Sequence, residues 1–258
     1  MSRQTRAIAI ANQKGGVGKT TTALNLGAGL AAMGRRVLLV DMDPQGNCTT
    51  GLGVEIGEDQ LTMAEVLTGE ASVDEVLVRP ASVKLDLAPA NGDLTVGEVA
   101  VMEREDRAGV LRDALAPLRD RYHDIIIDCP PALNVLTLNA LTAADRVLIP
   151  MQCEYYALEG LTALVNTIEQ IQDSVNPALE IEGLVRTMYD IRNNLSGAVS
   201  RQLAEHFGDK LYHTIVPRNV RVAESPSYGE SVLSYDPESR GALAYRGLAG
   251  EYVRRMRA

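Results

Sequence analysis

The chain alternates between short, almost uninterrupted apolar segments and longer segments of helical periodicity. Segments such as Asp124–Asp128 (Asp-Ile-Ile-Ile-Asp) carry consecutive apolar residues, which is typical of strands covered on both faces. Strands of this kind, joined by helices, predict a parallel sheet with helices on each side. The predicted strands are Arg6–Ala11, Arg36–Asp41, Val83–Pro89, Asp124–Asp128, Arg146–Met151, Ile181–Met188 and Lys210–Val216.

Segments of helical periodicity lie between these strands. Thr20–Met33 is followed by Gly34, a residue type that commonly ends helices because it adopts the left-handed conformation. The stretch Gly46–Asp59 is rich in Gly and Thr and predicts a mobile loop. The whole pattern predicts one α/β domain over residues 1–258, with a doubly wound, mostly parallel sheet. The predicted helices are Thr20–Met33, Ala108–Arg121, Leu158–Asp173, Ser196–Phe207 and Pro237–Met256.

The composition supports an α/β protein and argues against several other classes. The 258 residues are 46% hydrophobic with no Trp and a single Phe, so the core depends on aliphatic side chains. Three cysteines without CxxC spacing argue against a disulfide framework and a zinc site. No leader-like stretch precedes the first strand, and no window reaches the roughly 20 apolar residues of a spanning helix. These features predict a reduced, cytoplasmic protein.

Charge is distributed unevenly along the chain. The net charge is −9, which by itself argues against nucleic acid as a partner. Residues 183–258, however, carry 11 Lys and Arg against 8 Asp and Glu, whereas residues 1–182 carry 14 against 26. A local basic surface on an acidic protein is therefore compatible with the sequence. A solvated charged face explains the same asymmetry, and charge alone does not separate the two interpretations.

The segment after the first strand carries a phosphate-loop motif. Its sequence is Lys-Gly-Gly-Val-Gly-Lys-Thr-Thr, at residues 14–21. Glycines in such a loop let backbone N–H groups surround a phosphate, while Lys19 would pair with the β- and γ-phosphates and the Thr20 hydroxyl would ligate Mg²⁺. The motif departs from the ordinary pattern because Gln13 replaces a glycine and a second lysine, Lys14, stands beside a complete phosphate cradle. The chain has only four lysines, and two of them lie in this loop.

Two further strands end in carboxylates that suit a magnesium nucleotide. Asp128 closes a strand, and the ends of parallel strands form the ligand crevice of an α/β sheet. A carboxylate there holds Mg²⁺ directly or through water, as the Walker-B aspartate does. After the second strand, Asp-Met-Asp-Pro-Gln-Gly-Asn places Asp41 near the metal and Asp43 on a loop suited to orienting the attacking water. Asp41 and Asp43 are also compatible with simple turns.

These three segments resemble those of the deviant Walker A ATPases. Three later segments narrow the resemblance: Glu-Tyr-Tyr-Ala-Leu-Glu-Gly at 154–160, Met-Tyr-Asp-Ile-Arg-Asn-Asn-Leu-Ser at 188–196 and Ile-Val-Pro-Arg-Asn-Val-Arg at 215–221. They are similar to segments of the ParA/Soj partition ATPases, and the likeness extends over essentially the whole chain. The resemblance implies a P-loop ATPase with slow, Mg²⁺-dependent hydrolysis. Because only five residues precede the first predicted strand, we expect no N-terminal helix-turn-helix domain like that of the larger ParA proteins.

The resemblance also implies roles for particular residues. Two ATP-bound subunits of such proteins close face to face, and the lysine matching Lys14 reaches the partner's nucleotide like an arginine finger. The aspartate matching Asp43 positions the attacking water. The metal residues expected from the loop motif and the strand ends are Thr20, Asp128 and, in the metal's second shell, Asp41. Glu154 matches a residue that contacts nucleotide across the dimer. Residues that match the remaining nucleotide contacts are Gly15, Gly16, Val17, Gly18, the catalytic Lys19, Thr21 and, at the adenine, Pro217 and Asn219.

DNA is the macromolecular partner that the resemblance implies. In ParA-type proteins, arginines at positions matching Arg192, Arg218 and Arg221 bind double-stranded DNA without sequence preference once the ATP homodimer has formed. Arginines from two subunits then form one basic surface for phosphates. A ParB-like centromere-binding protein is implied as the partner that accelerates hydrolysis, and the nucleoid as the location. Ordinary surface arginines in ion pairs are the alternative, above all for Arg221.

Related classes that share the loop are alternatives. A MinD-like ATPase places division sites at a membrane through a C-terminal amphipathic helix, but Tyr245, Leu248, Tyr252 and Met256 form no dense apolar face for insertion. A helix packed on its own domain is the preferred interpretation. An iron–sulfur reductase of the nitrogenase type needs a cysteine several residues beyond the aspartate matching Asp128, and none occurs there. An ATP-dependent ligase is a third class, for which we find no organic-substrate motif.

Overall fold

In the part of the chain that the structure describes, seven parallel strands form a single sheet. The computed structural model describes residues 5–155 and 157–256, with side chains for all of these except 157–159. The strands are β1 (Arg6–Ile10), β2 (Val37–Asp41), β3 (Asp86–Ala88), β4 (Asp124–Asp128), β5 (Arg146–Gln152), β6 (Glu180–Tyr189) and β7 (Leu211–Pro217). Their order across the sheet is β3-β2-β4-β1-β5-β6-β7, and each neighbouring pair is parallel.

Helices connect the strands, and several begin at side chains that cap them. Ser239 caps the last helix because its hydroxyl accepts a hydrogen bond from the N–H of Ala242 at 3.1 Å. Asn134 caps another helix through the N–H of Thr137. The helices are α1 (Lys19–Ala32), α2 (Asn47–Gly51), α3 (Met63–Thr68), α4 (Val73–Val76), α5 (Leu94–Met102), α6 (Val110–Leu115), α7 (Val135–Ala143), α8 (Ala157–Ser174), α9 (Asn194–Phe207), α10 (Val220–Glu224), α11 (Val232–Tyr235) and α12 (Arg240–Arg255).

The sheet is covered on both faces, because successive side chains of each strand point to opposite sides. In β1, Ile8 and Ile10 join a buried cluster with α1 and α12. Ala7 and Ala9 join a second cluster with α3, α5, α6, α7 and α8. The strands are therefore apolar on both faces, as the sequence pattern predicted, and the doubly wound α/β class is confirmed.

The winding of the chain places a crevice between β1 and β4. The connection after β1 runs to β2 on one side of the sheet, whereas the connection after β4 runs to β5 on the other. Such a switch point leaves a ligand crevice at the carboxyl ends of the strands. The register aligns Ile10 with Asp128 and Asp128 with Asp41, so three strand ends meet there.

The prediction of a mobile loop over Gly46–Asp59 is wrong for its first part. Asn47–Gly51 forms α2, and Cys48 and Thr49 are completely buried. Tertiary contacts hold this segment in place. Thr49 hydrogen-bonds the buried carboxylate of Asp41, and Gly46 has a φ of 59°. A Cβ added at Gly46 would lie 2.5 Å from the carbonyl oxygen of Ala90, so the close packing requires glycine.

Three predicted boundaries also differ from the structure. The strand predicted over Val83–Pro89 is only Asp86–Ala88, a short strand at the end of the sheet that pairs with β2 and forms a single antiparallel bridge between Leu87 and Val78. The helix predicted over Ala108–Arg121 is α6 and a following 3₁₀ turn, since Pro117 lacks the N–H that continues a helix. The last helix begins at Arg240 rather than Pro237 because Ser239 caps it.

No helix in the part of the chain that the structure describes combines the length and apolarity needed to cross a membrane.

Candidate nucleotide site

The loop between β1 and α1 borders open space. Gly16 and Gly18 have φ angles of 73° and 86°, in the left-handed region that favours glycine. A Cβ added at Gly15 or Gly16 would meet no atom of the described part of the chain within 4 Å. Gly18 directly precedes α1, so the free N–H groups and positive dipole end of a 14-residue helix begin at the loop. This arrangement suits an anionic phosphate.

Lys19 lies inside the site. It is only 6% exposed, and its ammonium group donates to the carbonyl oxygen of Lys14 at 3.2 Å. Burial lowers the pKa of Lys19, while the negative charges of Asp128 and Asp43 act in the opposite direction. A cation held among carboxylates, with little water, gains a strong partner when a phosphate enters.

Asp128 is completely buried and its carboxylate is unpartnered. Among the described residues, neither oxygen has a hydrogen-bond partner of normal geometry, although the Thr20 hydroxyl lies close enough to favour the charged form. Burial and then the charge of Asp41 raise the pKa of Asp128 well above its usual value. Mg²⁺ takes one or two carboxylates together with phosphate oxygens and waters. Asp128 and Thr20 therefore fit a magnesium nucleotide.

Asp41 is also buried, but its carboxylate is occupied by the following loop. One oxygen accepts from the N–H and hydroxyl of Thr49 at 2.9 and 2.8 Å, and the other accepts from the N–H of Asp43 at 3.2 Å. Burial raises the pKa of Asp41 to about 6. The side chain thus fixes the loop that carries Asp43, and it lies beside Asp128 in the register.

Asp43 occupies the β2 side of the crevice. It is buried, and its Oδ1 accepts a hydrogen bond from the N–H of Gln45 at 3.0 Å. Its charge acts on both Lys19 and Asp128, which places the three groups in one site. A carboxylate oriented by its own loop and close to the phosphate lysine can hold and orient a water.

Lys14 is turned outward, unlike Lys19. Its side chain is 44% exposed, and its ammonium forms an ion pair at 2.5 Å with Glu154, which is 54% exposed. The two residues that the resemblance assigns to a neighbouring subunit's nucleotide therefore meet within one chain. The pair lies at the mouth of the loop, and exposed pairs of this kind contribute roughly 1 kcal/mol or less.

Pro217 and Asn219 lie where β7 ends. Pro217 is the last residue of the strand, and Asn219 caps α10 by accepting from the N–H of Val222 at 3.2 Å. The Asn219 oxygen is thus committed to the cap. Among the described residues, no partner is found for its Nδ2, the group that would contact a purine.

Arg192 forms an ion pair with Asp190, and the charge of Arg218 also acts on that carboxylate. The Nε and Nη2 atoms of Arg192 donate to Asp190 at 2.9 and 2.8 Å, and Arg192 is 85% exposed. Hydrogen bonds from Arg192, assisted by the charge of Arg218, lower the pKa of Asp190 to about 2. The Arg218 N–H donates to the carbonyl of Tyr189 at 3.0 Å. Both arginines follow the carboxyl ends of strands, Arg192 after β6 and Arg218 after β7, and the phosphate loop follows the carboxyl end of β1.

Arg221 has a different environment. It forms ion pairs with Glu224 at 3.0 Å and with Asp236 at 3.2 Å, while about half of its side chain is exposed. Two carboxylates largely neutralise it, so the structure favours the ion-paired interpretation for this residue over a free cation for DNA.

Some residues around the loop were not singled out from the sequence. Gln152 ends β5 and Thr187 lies near the end of β6; both hydrogen-bond loop carbonyls, and Thr49 holds Asp41. A polar residue at the end of an apolar strand was the signal that identified Asp128, and Gln152 carries the same signal. Tyr156, in one of the family segments, lies outside the described residues.

A test of the unpartnered carboxylate compares Asp128→Asn with the native protein. Burial raises the pKa of Asp128 in the folded state. The neutral carboxyl group is therefore compatible with folding below about pH 4, and the folded protein loses stability as the pH rises from there through the raised pKa, because the buried group must then carry a charge. Asn cannot ionise. We expect Asp128→Asn to raise the melting temperature of the ligand-free protein by about 3 °C, more at pH 8 than at pH 5, and to weaken Mg²⁺-dependent nucleotide binding.

The exposed Asp120→Asn is the matched control and is expected to leave both properties unchanged. Thermal unfolding at the two pH values gives the answer. An Asp128→Asn protein that is less stable than the native protein at both would contradict the assignment.

A glycine-rich loop, a buried lysine and a strand-end carboxylate at the switch point of a parallel sheet define a P-loop nucleotide-binding protein. A family model described as an AAA domain matches residues 5–181. The chain is 54% identical over 254 residues to the chromosome partitioning protein ParA of Caulobacter vibrioides, covering 98% of this chain and 95% of that protein. It is 49% identical over 246 residues to the sporulation initiation inhibitor protein Soj of Bacillus subtilis, covering 95% and 97%.

A solved structure has a similar fold over its full length. It is described as cobyrinic acid a,c-diamide synthase from Mycobacterium smegmatis with bound ADP and magnesium, with a TM-score of 0.86, 39% identity, and coverage of 98% of this chain and 96% of that one. On the sequence relatives, the chain belongs to the ParA/Soj family of partition ATPases, which confirms the resemblance.

Proposed function

We propose that this protein is a ParA-type switch in DNA segregation. ATP and Mg²⁺ bind at the loop, two ATP-bound subunits close face to face, the dimer binds DNA without sequence preference, and hydrolysis releases it. The observation that carries the proposal is the contrast between the two loop lysines. Lys19 is buried beside Asp128, whereas Lys14 is exposed at the mouth of the site.

Nucleotide binding is the first step of the proposed cycle. Lys19 pairs with the β- and γ-phosphates, and the N–H groups of residues 15–20 surround them. Thr20 and Asp128 hold Mg²⁺, which neutralises phosphate charge when bound, and Asp41 keeps the neighbouring loop in place. Asn219 and Pro217 contact the adenine. The bound ADP and magnesium of the Mycobacterium smegmatis protein support this step.

Dimer closure follows from the position of Lys14. Its own site is served by Lys19, so the exposed ammonium is free to exchange its partner Glu154 for phosphates of a facing subunit. A cation supplied in trans stabilises charge that develops on the transferred phosphoryl group. Asp43 orients the water for in-line attack, and hydrolysis removes the γ-phosphate that Lys14 contacts. The dimer then opens.

Arg192 and Arg218 provide the proposed DNA surface. Asp190 pairs with Arg192 and also lies within the electrostatic influence of Arg218, so one carboxylate faces two cations, and Arg192 remains highly exposed. Two such clusters in one dimer would make a basic surface on an otherwise acidic protein. A ParB-like protein is the proposed stimulator of hydrolysis, in line with the family. The single-domain organisation and the nucleoid location remain predictions.

The proposed surface is tested with Arg192→Ala/Arg218→Ala. Removing two phosphate contacts per subunit is expected to weaken ATP-dependent DNA retention about tenfold or more at moderate salt, and to reduce the slope of log affinity against log salt by roughly 2–4. MgATP affinity is expected to stay unchanged. Fluorescence anisotropy of labelled duplexes of two unrelated sequences measures both quantities.

Arg104→Ala is the matched control for this experiment. Arg104 binds Asp106, two residues away, through Nε and Nη2 at 2.9 Å each, the same geometry as Arg192 with Asp190, but it lies beyond the end of α5. Its removal is expected to leave DNA retention unchanged. Equal affinity of the native protein and the double variant at low salt would move the DNA surface elsewhere.

A MinD-like membrane function is less well supported. Tyr245, Leu248 and Tyr252 of α12 are buried against the sheet and α1, so the apolar face of this helix is already covered. Tyr252 also hydrogen-bonds the buried Asp124 at 3.3 Å. A helix held in this way has no apolar face left to insert into a bilayer.

The amide-synthase activity named for the Mycobacterium smegmatis protein is not proposed for this chain. Hydrolysis of glutamine as an ammonia source needs a reactive, accessible cysteine. Cys48, Cys129 and Cys153 are all buried. Burial raises the pKa of each thiol, to about 11 for Cys153, so none is suited to act as a nucleophile.

A further inference from the structure

Two carbonyl groups of the phosphate loop are held by side chains from other strands. The Nε2 amide of Gln152, at the end of β5, donates to the carbonyl oxygen of Gly16 at 2.9 Å. The hydroxyl of Thr187, near the end of β6, donates to the carbonyl oxygen of Val17 at 2.7 Å. These contacts span 136 and 170 residues of sequence, so they belong to the assembled sheet rather than to the loop motif.

The two hydrogen bonds fix the directions of two N–H groups. In a trans peptide the C=O and the following N–H lie in one plane and point in opposite directions. Holding the Gly16 oxygen therefore orients the N–H of Val17, and holding the Val17 oxygen orients the N–H of Gly18. These N–H groups belong to the phosphate cradle. We propose that Gln152 and Thr187 are positioning residues that preorganise the loop for phosphate by hydrogen-bonding its carbonyl oxygens, which point away from the N–H groups of the cradle.

The environment of Thr187 makes it the stronger of the two anchors. Thr187 is 2% exposed, and Val17 is buried as well, so water cannot replace the hydroxyl if it is removed. The loop also packs closely there: a Cβ added at Gly18 would lie 3.8 Å from both Thr187 Cβ and Met188 Cε. Gln152 is partly exposed, so water can hydrogen-bond the Gly16 carbonyl when the Gln152 amide is removed.

Met188 supports the same arrangement through its backbone. It is the only described residue other than glycine with a positive φ, 47°. A residue with a side chain keeps this conformation only where its surroundings require it, and such residues concentrate at functional sites. The Met188 sulfur contacts the Gln152 amide, and its methyl group lies under Gly18. Met188 thus contacts both the end of β5 and the loop.

The test measures nucleotide binding to Thr187→Val, which keeps the shape of the side chain and removes the hydroxyl. We expect MgADP affinity to fall about tenfold, which corresponds to about 1.4 kcal/mol, and the KM for ATP to rise more than kcat falls. Thr187→Ser retains the hydroxyl and is expected to restore affinity. Isothermal titration calorimetry with MgADP, and the melting temperature of each ligand-free protein, give the comparison.

Gln152→Leu is the second variant, because a partly exposed position tolerates the substitution without loss of the fold, and a threefold or greater loss of affinity is expected. The inference is overturned if both Thr187→Val and Gln152→Leu bind MgADP as the native protein does. It is also overturned if Thr187→Ser binds as weakly as Thr187→Val, or if affinity falls only in step with melting temperature.

The inference rests on nucleotide binding at the loop, which is part of the proposed function. The native protein separates the two: if it fails to bind MgADP, the proposed function fails. If it binds and the variants bind equally well, only the positioning role fails. Dimerisation and DNA are not required for either measurement.

Discussion

Lys14→Ala is expected to bind ATP almost as tightly as the native protein but to hydrolyse it roughly 100-fold or more slowly and to remain monomeric. Lys19 contacts the backbone carbonyl of Lys14, not its side chain, so the substitution leaves the phosphate loop intact. What it removes is the exposed ammonium that reaches the facing subunit. ATPase rates and light scattering with ATP provide the measurement.

Lys84→Ala is the matched control, because Lys84 is another exposed lysine and lies outside the site. It is expected to hydrolyse ATP and dimerise normally. A Lys14→Ala protein that does the same would show that the second lysine has no role in trans.

A mixing experiment separates action in trans from action within one subunit. When Lys14→Ala and Asp43→Ala proteins are combined, a mixed dimer has one site with an intact Asp43 and an intact facing Lys14. That site is expected to recover hydrolysis. If Lys14 acts within its own subunit, neither site is complete and the mixture stays inactive. Recovery of hydrolysis therefore shows that Lys14 acts on the facing subunit, however large the effect of each single substitution is.

Asp43→Ala is expected to reduce ATP hydrolysis about 100-fold or more while ATP affinity is retained. The residue is buried on the β2 side of the crevice, where it acts on Lys19 and Asp128 without contributing to the carbonyl anchors of the loop. Without a group to orient water, the ATP dimer forms and persists. The variant is therefore expected to stay on DNA after excess free ATP has been removed.

The exposed Asp59→Ala tests whether any carboxylate in this region has the same effect. It is expected to hydrolyse ATP and to leave DNA at native rates. A hydrolysis rate for Asp43→Ala equal to that of the native protein would remove Asp43 from the reaction, and Asp41 would not replace it, because its carboxylate is occupied by Thr49 and the Asp43 N–H.

The fold class was predictable because strands such as β2 and β4 are apolar throughout, and only a doubly covered parallel sheet buries both of their faces. Short helices were harder to predict. α2 begins in a Gly- and Thr-rich stretch of poor helix propensity and is held by the buried Asp41 and by packing at Ala90. Such tertiary contacts override local preference and have no local signal.

The residues of the site fall into the same two groups, those with a local sequence signal and those that only the fold brings into place. Lys19, Thr20 and Asp128 were identifiable because a loop motif and a strand end are local patterns with a direct physical meaning. Gln152 and Thr187 act on the loop across more than a hundred residues, and only the order of β1, β5 and β6 brings them to it. The ion pairs of Arg221 are of the same kind, since Asp236 is brought close by the fold.

The central claim is that ATP, through dimerisation, creates a DNA-binding surface. The most direct measurement is retention of the native protein on double-stranded DNA with ATP, with ADP and without nucleotide, each across a salt series and on two unrelated sequences. The account predicts strong retention with ATP only, equal for both sequences and falling steeply with salt. Retention that is the same in all three nucleotide conditions, or absent in all of them, would contradict it.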